Sequence, residues 1–442
     1  MKNLLTCIAL FACSLFFART ARAQQTPIDT RLDNIAKEWN VLIDSSRYKD
    51  AITVAYRGLA LCPPANNLMK ARFLYYLGYS HEYLNNNYDS AIYFYQKAYP
   101  YAVKSGNQGD EANLLMRINY MYYYVKKYRE RDTLIRYIKT IVDTAKDTEV
   151  LAILNGSIGE YYLDNSAYES FINYKLKAIE YRKRLLTKDS MQNRENIGIS
   201  YLQIVQAYIR MHQDEKALEY LGYSRTYIKS FKDGEAFMNN DYINVYLNLD
   251  KFDLAVKHDK LLYASMKPQD SLFINLSFAR RLFADYYCRK GQLVRSEQEA
   301  MEALRLAKKS LDEEILCEAH VSLGKIEYQK GSYTDAISYL NLALPAAYNY
   351  DRDMYLEAQK KLAQSYAAMG RWDSAYAHYQ TYSSLQDTLY TEASKRSLAE
   401  AEAKYQNKDK QLQIDAQNVT LEYARKQQLW LWLGIGMISL VA

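Results

Sequence analysis

The side chains that could carry chemistry in this sequence are few and far apart. Five histidines, His81, His212, His258, His320 and His378, stand alone, with no second His or Cys at metal-ligand spacing. His81-Glu82 and His258-Asp259 have the His-acid order of a phosphoacceptor. No nucleotide-binding segment accompanies them, and both read as surface helix residues. Gly106-Asn107-Gln108-Gly109 lies in a link between helices and follows no strand, so it does not read as a phosphate cradle. Cys7 and Cys13 fall near the N-terminus, and Cys62, Cys288 and Cys317 are too scattered for a disulfide framework. No catalytic residue, metal site or cofactor is expected, which leaves binding as the function to look for.

Binding side chains would have to be positioned by helices. The chain has 15 Gly and 6 Pro in 442 residues, with no Pro after Pro345. Tyr is abundant, 45 residues against 12 Phe, and at helical spacing most of these rings read as packing with a wet hydroxyl. Residues 314–348 set the pattern. Leu323-Gly324 sit midway along one apolar-periodic segment, Gly331-Ser332-Tyr333 break it, and Ala336, Leu340 and Ala343 share a face of a second. Small residues at Gly324 and Ala336 let two helices approach closely. This resembles the tetratricopeptide repeat (TPR), with His320 and Glu327 in place of the family's Trp and Tyr. The resemblance implies an all-α solenoid of helical hairpins.

Laid along the chain, the pattern gives about nine hairpins within residues 24–387. A first runs from Leu32 to Cys62, with Tyr48, Ala51 and Ala55 setting its second helix. In the second, Leu77-Gly78 mark one helix, Asn85-Asn86-Asn87 the turn, and Ala91, Tyr95 and Ala98 the other helix, which Pro100 is expected to stop. Residues 112–142 form a degenerate third, where Tyr120, Tyr122, Tyr123 and Tyr124 crowd the place of a Gly. The fourth regains the spacing with Gly159, although Phe171 replaces an Ala and implies a wider crossing. From Gly159 through Val205, Ile243, Ala284, Gly324 and Ala363 the steps are 46, 38, 41, 40 and 39 residues. These exceed the roughly 34 of the standard unit, so a looser superhelix is expected.

The resemblance implies an inner groove lined mostly by the first helix of each hairpin. The family's groove positions fall on Arg72, Tyr75, Tyr79 and Glu82, on Arg281, Asp285 and Arg289, and on Lys325, Tyr328, Lys360 and Gln364. Mixed charge with tyrosine suits a peptide or protein segment.

Residues 1–23 read as a signal peptide: Lys2, an apolar run from Leu4 to Phe17, then Ala21-Arg22-Ala23 as the cleavage site. A lipid-modified Cys13 is the rival reading. Cleavage removes Lys2, Arg19 and Arg22 and takes the formal charge from +6 to +3, with no basic block left to hold nucleic acid. Residues 388–428 lack Gly and Pro and carry Leu398, Tyr405, Leu412 and Val419 every seven residues, a long charged helix that caps the array or dimerises as a coiled coil. Residues 429–442 are uncharged and mostly apolar, with Trp430 and Trp432 leading, and read as the start of a transmembrane helix. This order is similar to the sensory half of bacterial membrane-bound TPR signalling proteins. It implies an array exported to the periplasm, anchored once in the inner membrane, and an output domain beyond Ala442, a histidine kinase or a DNA-binding module. A tethered scaffold without output and the regulatory half of an enzyme are the competing readings.

Overall fold

The computed structural model describes residues 27–386 apart from 85, 187–190, 229–233, 266–269 and 351. The described residues form eighteen helices and no strand. In chain order they are α1 (Pro27–Asp44), α2 (Tyr48–Leu61), α3 (Asn67–Tyr83), α4 (Tyr88–Ser105), α5 (Gln108–Tyr124), α6 (Tyr128–Thr144), α7 (Thr148–Asp164), α8 (Tyr168–Arg184) and α9 (Met191–Arg210). They continue with α10 (Asp214–Arg225), α11 (Gly234–Asn248), α12 (Phe252–Ser265), α13 (Asp270–Arg289), α14 (Leu293–Ser310), α15 (Glu313–Lys330), α16 (Tyr333–Tyr350), α17 (Arg352–Ala368) and α18 (372–386). Each odd-numbered helix pairs with the next as an antiparallel hairpin, and nine hairpins stack in sequence order. Odd helices are called A and even helices B.

Local chemistry fixes where these helices begin and turn. Asn66, Asn87, Asn107, Asp147 and Asp312 accept hydrogen bonds from the otherwise unpaired first N–H groups of α3, α4, α5, α7 and α15. Every A-to-B turn holds one residue in the left-handed region: Ser46, Asn86, Lys126, Ser166, His212, Asp250, Gly291, Gly331 and Gly370. Five residues after each comes the point where the B helix presses on its A partner, at Ala51, Ala91, Arg131, Phe171, Ala217, Ala255, Ser296, Ala336 and Ala375, all buried.

What stands opposite these points decides how close the two helices come. A Cβ on Gly78 would lie 2.7 Å from the Tyr95 ring, and one on Gly324 only 2.5 Å from Leu340, so both hairpins close on bare backbone. In the third hairpin the equivalent residue is Asn119, not one of the four neighbouring tyrosines. Its Oδ1 accepts from Arg131 Nε at 2.9 Å, both side chains buried, so a hydrogen bond replaces small-residue contact. In the seventh, Ser296 Oγ donates to Ala284 O at 2.8 Å. In the fourth, Phe171 is fully buried and the Lys175 stem lies over Gly159.

Pro100 does not end its helix: α4 runs through it to Ser105, as α16 runs through Pro345 to Tyr350. Each proline removes one backbone donor, but Ala98 and Ala102, and likewise Ala343 and Ala347, are buried on either side. Packing of those turns holds the helix across the gap.

The apolar core runs the length of the stack, from Leu32 through Phe73, Leu154, Val205 and Leu282 to Leu362. The array also coils. Lys126, in the third turn, lies 5.6 Å over the ring of Tyr348 at the end of α16. No helix among the described residues is long and apolar enough to cross a membrane. The expected signal peptide at 1–23, charged helix at 388–428 and membrane start at 429–442 lie outside the described residues.

Candidate partner-binding surface

The inner A helices α3, α7, α9, α11 and α15 are buried on most sides, so polar groups between them have to pair. Each of the eight A-to-A junctions carries such a pair. Trp39 Nε1 donates to Ser80 Oγ at 3.0 Å, Arg117 to Glu82 at 3.0 Å, Asn119 to Ser157 at 3.0 Å and Gln203 to Glu160 at 3.1 Å. Gln206 donates to Asp241, and Asn240 to Asn275 at 2.9 Å. The ladder ends with ion pairs from Arg281 to Glu318 at 3.2 Å and Lys325 to Glu357 at 3.0 Å. A slip of one helix past its neighbour would strand these groups without partners, so the ladder fixes register. Burial pushes Asp241 well above the usual carboxylate range, with the Gln206 amide opposing the shift.

The residues at the family's groove positions divide between two environments. Tyr75, Tyr79 and Glu82 are inside the stack, with Glu82 3% and Tyr79 1% exposed. Glu82 accepts from Tyr95 at 2.6 Å and from Arg117, whose guanidinium lies 4.9 Å over the Tyr79 ring. Tyr75 packs against Tyr76, Tyr79 and Tyr95. Arg117 of α5 is itself buried and packs against α3 at Glu82 and Tyr79. Arg72 is only partly exposed and pairs with Asp110 at 3.3 Å.

The C-terminal third presents its set at a half-exposed surface. Arg281 spans Asp285, at 3.4 Å, and Glu318, on α13 and α15. Lys325 on α15 reaches Glu357 on α17, and Tyr328 lies one turn further along α15. Lys360 is exposed, with Nζ 5.6 Å from the Tyr382 ring centre, and Gln364 accepts from Lys361 Nζ at 3.1 Å. Arg289 is exposed at the end of α13, with a 3.4 Å contact to Asn248. Three successive A helices thus bring Arg281, Asp285, Lys325, Tyr328 and Gln364 to one strip, with Lys360 and Arg289 at its margins.

Sequence reasoning missed Lys361. Its ammonium lies 4.4 Å over the Tyr328 ring. Burial lowers its pKa from the ordinary lysine value, with Lys325 and Lys360 adding to the effect and Glu357 opposing it. The available signal was position: Lys361 stands two residues before Ala363, as Arg117 stands two before Asn119.

The histidines read as surface residues are half-buried within their own hairpins. His81 stacks on Phe94 at 5.3 Å. His258 stacks on Tyr242 at 4.3 Å, with Nδ1 2.9 Å from Asn239 Oδ1. Among the described residues no three metal-capable side chains gather, and Cys62, Cys288 and Cys317 are free thiols.

No protein-family model matches the sequence, and no curated protein matches it. Solved structures do. RapI in its apo form is similar over 82% of this chain and 99% of its own, with a TM-score of 0.51 and 13% identity. A Rap protein complexed with Competence and Sporulation Factor gives 0.49 and 14% identity over 82% of this chain and 99% of its own. A tetratricopeptide repeat protein from Parabacteroides merdae gives 0.45 and 13% identity over 65% of this chain and 98% of its own. Hairpin geometry and crossing spacing give this chain a TPR-like α-solenoid fold.

Proposed function

We propose that the chain is a non-catalytic interaction array whose C-terminal third recognises a peptide or a segment of a protein. The observation that carries this reading is the strip of Arg281, Asp285, Lys325, Tyr328, Lys361 and Gln364 on three consecutive A helices. Its charges are held in pairs by neighbours on a rigid scaffold, and an incoming carboxylate or ammonium can exchange for those partners at modest cost. Lys361, lowered by burial and by its lysine neighbours, gains most from an arriving carboxylate. The strip therefore favours a segment with an acidic side chain flanked by an apolar or aromatic one that rests on Tyr328.

A displayed random-peptide library tests this. Acid-containing peptides are expected to enrich on the wild-type chain and not on Lys325→Glu/Lys361→Glu. If the same peptides enrich on both, the strip is not the recognition surface.

We further propose that the array works outside the inner membrane. It would be held there by residues 429–442 and coupled through residues 388–428 to an output module, with a histidine kinase preferred over a DNA-binding domain. Domain order supports this reading. In cells with a permeabilised outer membrane, added protease should digest the array. An array that resists until the inner membrane is broken would place it in the cytoplasm.

A further inference from the structure

The B helix of the third hairpin is lightly held. Along seventeen residues α6 buries only Arg131, Ile135 and Ile138, whereas α4 buries five side chains and α8 six. Polar tethers to α5 and α7 take the place of apolar contact. Arg131 donates to Asn119 and, at 2.6 Å, to Asp164; Asp132 accepts from Tyr161 at 2.8 Å, and Lys139 donates to Tyr162 at 2.9 Å. A further tether runs back to the second hairpin. Tyr137 Oη lies 3.1 Å from Tyr99 Oη on α4, and Tyr99 donates to Glu111 Oε1 on α5 at 3.0 Å. Since the Tyr99 proton faces Glu111, Tyr137 donates to Tyr99, and two phenols and a carboxylate form one proton relay. Tyr137, 46% exposed, meets solutes, while Tyr99 is half-buried.

We infer that Tyr99 and Tyr137 are a site of oxidative coupling, at which a peroxide-driven one-electron oxidant joins the two rings and staples α6 to α4. Each phenol gives one electron to the oxidant and one proton from Oη, the Tyr99 proton passing to Glu111 and the Tyr137 proton to water. The two phenoxyl radicals bond through a ring carbon beside each hydroxyl. The ring hydrogens at those carbons then move to the oxygens and restore both hydroxyls. Overall, two phenols and one hydrogen peroxide give one linked pair and two waters. Three features single out this pair. The hydroxyl contact keeps the rings neighbours, so coupling outruns encounter with other partners. Burial, with the Tyr137 hydroxyl and the Glu111 carboxylate adding to it, pushes the Tyr99 phenol above its ordinary value, so its proton leaves with the electron and needs the acceptor that Glu111 supplies. Little apolar packing fixes α6, so its ring can swing toward Tyr99. Tyr120 and Tyr124 also touch, at 2.9 Å, but stand four residues apart on α5, where a link ties nothing new. The Tyr99–Tyr137 link closes a span of 38 residues between two hairpins. The inference is independent of what the strip binds.

Mapping the coupled peptides of the full chain tests it. The chain is treated with hydrogen peroxide and a haem peroxidase, digested, and read by mass spectrometry. A peptide pair joining Tyr99 to Tyr137 is expected to dominate, at a yield independent of protein concentration. Total coupling should fall about tenfold in Tyr137→Phe, which keeps the ring and loses the second phenol. Glu111→Gln should slow coupling severalfold at neutral pH and recover as pH rises toward the phenol range, about 10. Circular dichroism and melting verify that both variants stay folded. In the coupled chain, amide exchange in α6 should slow by about tenfold. Links spread over other exposed tyrosines such as Tyr93 and Tyr128, or links between two chains, overturn the inference. So do an undiminished yield in Tyr137→Phe, wild-type speed in Glu111→Gln, and the absence of any link.

Discussion

Burial sets the protonation of His258. Desolvation, helped by Lys257 and Arg225, lowers its pKa to about 4, against about 6.5 for a solvated imidazole. The neutral ring fits between Tyr242 and Asn239. Its contribution to stability is complete above pH 6.5, where neither folded nor unfolded chain is protonated, and is lost as pH falls from there toward 4. Melting temperature is therefore expected to drop between pH 7 and pH 5, and to drop less in His258→Gln. Equal slopes would show that the ring is not the titrating group. The sequence showed His258 beside an acid and suggested a surface pair. The 19-residue span that brings it to Asn239, shared by His378 and Gln359, depends on hairpin closure and could not be seen in adjacent residues.

At the scale of helices, small residues at crossings were legible, because Gly78 with Ala91 and Gly324 with Ala336 let two backbones approach closely, the commonest way to meet the demand of the crossing. Asn119 with Arg131 was not legible, since a hydrogen bond meets the same demand with different chemistry. Tyr75, Tyr79 and Glu82 were placed by helical position alone, which cannot show that Arg117 from the next A helix packs over them. That contact makes a sharp prediction. Arg117→Ala leaves Glu82 buried and without its ion-pair partner, and should cost about 3–5 kcal/mol in urea unfolding. Glu82→Met/Arg117→Met, which removes both charges, should cost distinctly less. Equal losses would mean that the guanidinium acts by packing on Tyr79 and not by pairing.

Across the whole molecule, the repeat length near 40 residues was readable from the sequence, whereas the coiling that brings Lys126 over Tyr348 was not. Spacing fixes which helices are neighbours; small rotations accumulated over several hairpins fix which distant turns meet. The left-handed turn residues add an asymmetry along the stack. The last three turns use glycine, which takes that backbone shape freely, while the first six use Ser, Asn, Lys, Ser, His and Asp. A side chain there costs roughly 1–2 kcal/mol, less for Asn and Asp. His212→Gly is expected to raise stability by about 1 kcal/mol and to slow amide exchange in α9 and α10. Unchanged exchange there would show that the turn is unstrained. Because each hairpin packs chiefly on its neighbours, with Lys126 over Tyr348 as a contact between distant turns, this uneven load gives the array a preferred melting direction, with breathing entering from the N-terminal hairpins and the glycine-turned end the last to let go.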